Sequence, residues 1–245
     1  MGYVVQKPLS SWRKIGSGRA SRIQFFLALF CGEACNPREL AELKRLATPV
    51  RFMGGQTIFS EGDPARNAFG LSYGVVRLYR LLPDGRRQVV AFAFPGDFLA
   101  MPLADRFSFS ADAVGEVGVC KFPREQLKLL IQNSPNIMRL LVEFAARELQ
   151  SAQDQLTLLG NSSAQEQVAA FLVNWRKRSA RIAPLSQAVP LPMRRQDIAD
   201  FLGLKLETIS RTFAKLEQRD VIRIVPHGVV LTGLEQAELL TGRNE

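Results

Sequence analysis

The chain predicts an α+β fold in three parts: a small β-barrel or jelly roll, one long helix, and a C-terminal winged helix-turn-helix. Three observations predict it. Short β-rich runs separated by turn signals fill the stretch from Val50 to Phe122. Apolar residues then recur from Met138 to Leu159 at alternating spacings of four and three, the period of a coiled-coil seam. Last, two short apolar stripes at helical spacing flank Gly203, and two β-rich runs follow them.

Composition bounds the answer. At 245 residues, with 47% hydrophobic and 22% charged side chains, the chain has the make-up of a folded protein of one or two domains. Its formal charge is +9, which suits a polyanionic partner. The excess does not locate a binding face, however. Residues 1–30 carry Lys7, Arg13, Lys14, Arg19 and Arg22 with no acid, whereas residues 161–245 hold twelve basic against nine acidic side chains. Cys31, Cys35 and Cys120 are too few and scattered for a secreted disulfide framework, so a reducing, cytoplasmic location is expected. The run Ile23–Cys31 follows a basic stretch as a signal peptide does. Its apolar core is short and lacks a small-residue cleavage site, so it reads as a helix docked on the domain. No apolar run is long enough to span a membrane.

Taken in order, residues 1–22 show little periodicity and read as a mobile tail, giving a first segment of 1–35 with the short helix. A helix is expected over Asn36–Leu46, with Asn36 as N-cap and Pro37 at its first position. The β segment, 36–122, has turns at Gly54-Gly55, Glu61-Gly62-Asp63, Tyr73-Gly74, Pro83-Asp84-Gly85 and Pro95-Gly96-Asp97. A helical segment, 123–160, begins with a short helix over Arg124–Gln132. Its long helix runs from Asn136 to about Leu159, and its seam comprises Met138, Val142, Ala145, Leu149, Ala152, Leu156 and Leu159. Such a seam either packs on the chain's own barrel or pairs with a copy of itself, and its length and regularity favour a two-fold homodimer. Gly160–Ser163 breaks the helix and opens a C-terminal domain of 161–245.

Within that domain a helix over Gln165–Lys177 precedes a loop, Ala180–Pro192, and then the helix-turn-helix. Ile198, Ala199 and Leu202 stripe its first helix, and Gly203 supplies the turn. Leu206, Ile209, Phe213 and Leu216 stripe the second. Glu207, Ser210 and Arg211 face away near its start, where a recognition helix touches base edges. Arg pairs with guanine, Glu accepts from cytosine, and Ser fits several partners. Lys205, Thr208 and Thr212 are the candidate phosphate contacts. An ordinary helical hairpin with a solvated polar face has the same pattern. The runs Val221–Val225 and Val229–Leu231 around Pro226-His227-Gly228 predict a two-stranded wing.

This order of parts resembles the CRP/FNR family of bacterial transcription regulators, from Asn36 to about Leu231. Gly55–Phe59, Glu61-Gly62-Asp63, Gly74–Tyr79 and Pro95–Phe98 look like its cyclic-nucleotide-binding-like β-roll. Glu207-Thr208-Ile209-Ser210-Arg211 matches the FNR-type recognition helix. The match implies that Glu207, Ser210 and Arg211 read a TTGAT-type half-site in a DNA operator. In FNR-like activators the loop matching Leu82–Arg87 touches RNA polymerase, although turn chemistry alone also explains those residues.

Departures from the family decide the branch. Its cyclic-AMP binders carry a Gly-Glu and an Arg-Ser pair, which here fall at Ala100-Met101 and near Phe107-Ser108, with Arg106 one position away. A nucleotide phosphate buried among Phe, Met and Leu would be uncompensated. Cys120 sits where the FNR oxygen sensors place their last cluster ligand, and Cys31 and Cys35 resemble a remnant of the others. Three thiolates do not complete the usual four, and Cys120 also reads as a small buried apolar residue. No cofactor or metal is therefore expected. His227 reads as a turn residue or at most a phosphate contact.

The string Arg194–Leu204 looks like the FixK-like branch, which implies an activator of microaerobic, denitrification or nitrogen-fixation genes. The alternative is a redox- or ligand-sensing regulator holding an iron–sulfur cluster, haem or a small molecule in the roll. Catalysis is not expected: there is no Ser-His-Asp set, metal-spaced cluster or phosphate-cradling glycine loop.

Overall fold

The computed structural model describes residues 19–100, 103–182, 188–233 and 237. The expected tail up to residue 18, Met101 and part of the 180–192 loop lie outside them. The first helix, α1 (Arg19–Cys31), takes in the end of what the sequence assigns to a tail. It forms there because Phe26, Leu27 and Phe30 are buried and the Arg22 guanidinium lies 5.1 Å from the centre of the Tyr73 ring. Burial of an apolar face, rather than intrinsic propensity, holds such a short helix.

Helix α2 (Pro37–Leu46) follows with the expected cap. The Glu39 amide donates to Asn36 Oδ1 (2.9 Å), and the Asn36 amide donates to Glu39 Oε2 (2.8 Å). Strands β1 (Thr48–Phe52), β2 (Thr57–Phe59), β3 (Asn67–Tyr73), β4 (Val76–Leu81), β5 (Arg87–Ala93), β6 (Ser110–Ala113) and β7 (Val117–Pro123) form two antiparallel sheets. Their orders are β1-β7-β3 and β2-β6-β4-β5. Alternation along β3 and β7 sorts their side chains between two cores. Phe69, Leu71, Val117 and Val119 face the roll interior with Phe59, Leu78, Leu99 and Phe107. Ala68, Cys120 and Phe122 face a second core, shared with α1, α2, α3 (Arg124–Gln132) and the start of α4 (Pro135–Asn161).

Gly70 shows how closely α1 is seated. A Cβ there would overlap the Phe26 ring, so only glycine leaves room for it. Gly70→Ala is expected to cost about 1–3 kcal/mol, the usual range for an overpacked core. A urea unfolding midpoint equal to that of the unsubstituted chain would rule out this seating of Phe26.

The division into two compact units falls within α4, the first ending at Ala152 and the second starting at Gln153. The helix thus runs through Gly160 instead of stopping before it. Helix α5 (Ala164–Ala180) is capped by Ser163, whose amide donates to Glu166 Oε2 (2.6 Å). Then come β8 (Ala188–Pro190), α6 (Arg195–Leu202), α7 (Leu206–Gln218), β9 (Ile222–Val225) and β10 (Gly228–Leu231). The expected hairpin forms, with β9 and β10 paired antiparallel, and the 180–192 connection adds β8 on the other side of β10, giving a three-stranded sheet ordered β8-β10-β9. The Trp175 indole N–H fastens that strand to α5 by donating to the Pro190 carbonyl (2.7 Å).

Candidate nucleic-acid interface

Helices α6 and α7 are positioned by what they bury. Ile198, Ala199 and Leu202 of α6 and Ile209, Phe213 and Leu216 of α7 are at most 1% exposed. Gly203 joins the helices at φ +66°, and the Leu204 amide closes the turn on the Ala199 carbonyl (3.0 Å). Phe201 packs at 5.7 Å on Phe171 of α5. The last turn of α7 is tied to the wing by Glu217, whose Oε1 accepts from the Ile224 amide (2.8 Å).

With one face fixed in the core, the other is presented to solvent. Lys205, Glu207, Ser210 and Arg211 are all exposed at the start of α7, and Thr208 is half-buried. The side chains of Glu207, Ser210 and Arg211 make no hydrogen bond or ion pair with another described residue. Acceptor, hydroxyl and fork-shaped donor stand side by side on one surface. Thr212 corrects the expectation of a phosphate contact: it is only 4% exposed, because it stands three residues after Ile209 and four before Leu216, on the core face.

Leu206 is the residue that the apolar pattern hides. It shares the spacing of the core stripe, yet as the first residue of α7 it projects past the end of the core and is 38% exposed. An apolar side chain beside Glu207 suits a thymine methyl group. Its place immediately before the polar triplet is the signal that finds it. In the wing, His227 is exposed at the turn with φ +61°, a left-handed conformation that fits its reading as a turn residue.

The seam of α4 divides just as sharply. Ile137, Leu140, Leu141 and Phe144 are buried in the second core. On the outside, Val142 and Leu149 are each 61% exposed and Leu156 is 71% exposed, with Met138 and Ala152 also exposed. Ala145 and Leu159 are half-buried. Met138, Val142, Leu149, Ala152 and Leu156 therefore form an apolar stripe on the solvent side of α4.

The roll interior is filled by rings. Phe59 and Phe107 stack with centroids 3.9 Å apart, and Phe69 lies 5.7 Å from Phe59. Arg106 is exposed, and its Nη1 donates to the Gly62 carbonyl (2.6 Å). The three thiols are buried in the second core. Burial pushes Cys120 up to about 12 and also raises Cys31 and Cys35, so all three are neutral packing groups at neutral pH. Among the described residues, no group of three or more His, Cys, Asp or Glu side chains is arranged to hold a metal ion. No helix among them is long and apolar enough to cross a membrane. The loop between β4 and β5 is exposed, and hydrogen bonds from the Arg86 amide and guanidinium to Asp84 (3.0 and 2.7 Å) hold that carboxyl below its usual range.

Comparisons with known proteins match this geometry part for part. A cyclic nucleotide-binding domain model matches residues 49–134, and a Crp-like helix-turn-helix domain model matches residues 166–238. The transcriptional activatory protein AadR of Rhodopseudomonas palustris is 53% identical over 199 residues, covering 81% of this chain and 83% of that one. The nitrogen fixation regulation protein FixK of Bradyrhizobium diazoefficiens is 50% identical over 202 residues, covering 82% and 85%. Among solved structures, FixK2 from Bradyrhizobium japonicum superposes with a TM-score of 0.75 at 32% identity, covering 81% of this chain and 99% of that one.

Proposed function

Since the chain belongs to the CRP/FNR family of transcription regulators, in its FixK-like branch, we propose that it activates transcription as a homodimer seated on a palindromic DNA operator. The observation that carries this reading is the solvent-facing triplet Glu207, Ser210 and Arg211 on a helix whose opposite face is locked in a core. Each α7 enters a major groove and reads a TTGAT-type half-site. Arg211 pairs with guanine, Glu207 accepts from cytosine, and Leu206 packs on a thymine methyl. Lys205 and Thr208 meet phosphates and set the register.

Two copies joined along the α4 seam suit an operator whose half-sites lie one helical turn of DNA apart, one for each recognition helix. The similarity to a transcriptional activatory protein and to a nitrogen fixation regulation protein supports activation of nitrogen-fixation genes. Gel-shift titration with a TTGAT palindrome, a single half-site and a scrambled duplex tests this. A preference for the palindrome of at least about 10³ over scrambled DNA is expected at physiological salt. Equal binding to all three would overturn the proposal.

RNA polymerase is the proposed second partner, met by the exposed Leu82–Arg87 loop, beside which Leu81 is 65% exposed. Replacing Asp84 and Arg86 with alanine is expected to lower transcription from a target promoter in vitro and leave operator affinity unchanged. Undiminished transcription would remove the loop from the contact.

A further inference from the structure

We infer that Arg195 is a positioning residue for base recognition: its guanidinium, stacked on the Phe213 ring, fixes the rotation of α7 about its own axis. The inference rests on α7 reading DNA as proposed above. Arg195 is the first residue of α6, and its Cζ lies 3.2 Å from the centre of the Phe213 ring. That separation is well inside the range of a cation–π contact. Phe213 itself is 1% exposed, in the middle of the core face of α7.

The guanidinium is not held there by an ordinary partner. Its Nη1 is sealed from solvent without a hydrogen-bond acceptor among the described residues, and no described carboxylate pairs with it. Burial lowers its pKa to about 10, so the group stays charged at neutral pH. A buried charged donor without an acceptor is unfavourable. The face of the Phe213 ring is the compensating contact present. A flat guanidinium seated this close over the ring leaves little room for either group to shift.

This contact acts on recognition through geometry. Arg211 lies across the helix from Phe213 and Ser210 about 60° round from it, all on one rigid helical backbone, so a turn of the helix about its axis carries the reading face with it. Side-chain tips stand about 5–6 Å from a helix axis, and a rotation of about 10° moves them by about 1 Å. A base-edge hydrogen bond near about 2.9 Å does not survive that displacement with useful strength.

The test uses the full chain with Arg195→Met, Arg195→Lys, Phe213→Leu and the Arg195→Met/Phe213→Leu pair. Affinities for operator and scrambled duplex are measured across a salt series, together with thermal unfolding. Each of Arg195→Met and Phe213→Leu is expected to reduce the operator-to-scrambled ratio about tenfold, and the pair no further than either alone. Arg195→Lys keeps the charge without the flat group and falls between. The salt slope stays that of the unsubstituted chain.

Additive losses would overturn the inference. So would a shallower salt slope for Arg195→Met, by about 0.9 per protomer, which marks a phosphate contact. An unchanged ratio with a lower melting temperature would reduce Arg195 to core packing. Lack of operator preference in the unsubstituted chain would remove the reading of α7, and the inference with it.

Discussion

Replacing Leu149 and Leu156 together with glutamate yields a folded monomer whose operator affinity is lower by about 10²–10⁴-fold. Both side chains face solvent in a single chain, at 61% and 71% exposure, so the substitutions leave the cores untouched. Surface changes of this kind usually alter the stability of the isolated chain by less than about 0.5 kcal/mol. In the proposed dimer they face their own copies across the seam, and two carboxylates brought together out of water repel and are poorly solvated. Losing the dimer turns linked binding at two half-sites into separate events, which accounts for the size of the loss. Sedimentation velocity reports the monomer, circular dichroism the intact fold, and anisotropy titration the affinity. A variant that still sediments as a dimer would move the interface elsewhere.

Arg211→Ala has the second-largest expected effect. The guanidinium stands exposed, without a partner among the described residues, and a bidentate contact with guanine is worth about 1–3 kcal/mol. Two-fold symmetry applies that loss at both half-sites, so the dimer is expected to lose about 2–6 kcal/mol of specific binding. Binding to scrambled DNA should change far less, and selection from a randomised duplex pool should relax at one base pair per half-site. An unaltered base preference in that selection would take Arg211 out of the reading face.

Much of this architecture is legible in the sequence because it is written locally. Asn36, Pro37 and Glu39 announce the start of α2 through a cap that closes within four residues. The 4-3 spacing from Met138 to Leu159 separates the outward stripe from Ile137, Leu140, Leu141 and Phe144, since both follow from one helical period. Strand β8 is not legible in the same way. It has three residues and exists through its pairing with β10, in which Val189 lies opposite Val229. Nothing near Val189 encodes that partner.

Two positions of α7 show polarity and spacing in conflict. Thr212 is polar, yet its spacing from Ile209 and Leu216 places it inside, and the spacing wins because the helix is rigid. Leu206 is apolar and in phase with the core, yet it is exposed, because the core ends before the first turn of α7 does. A one-dimensional period carries no information about where its burying neighbour stops. The same limit applies to α1, whose seating on the roll depends on the room that Gly70 leaves for Phe26.

The pairing of β8 with β10 also has an evolutionary consequence. It closes the chain between Pro190 and Gly228 into a cassette whose two ends meet in hydrogen-bonded register, with α6 and α7 inside. The side chains that hold the cassette shut are buried, whereas Lys205, Leu206, Glu207, Ser210 and Arg211 are exposed and bear little of the fold. Mutation can therefore rewrite the operator such a protein selects while leaving its stability nearly constant. Divergence in target genes and persistence of the scaffold become separable within one short stretch of chain.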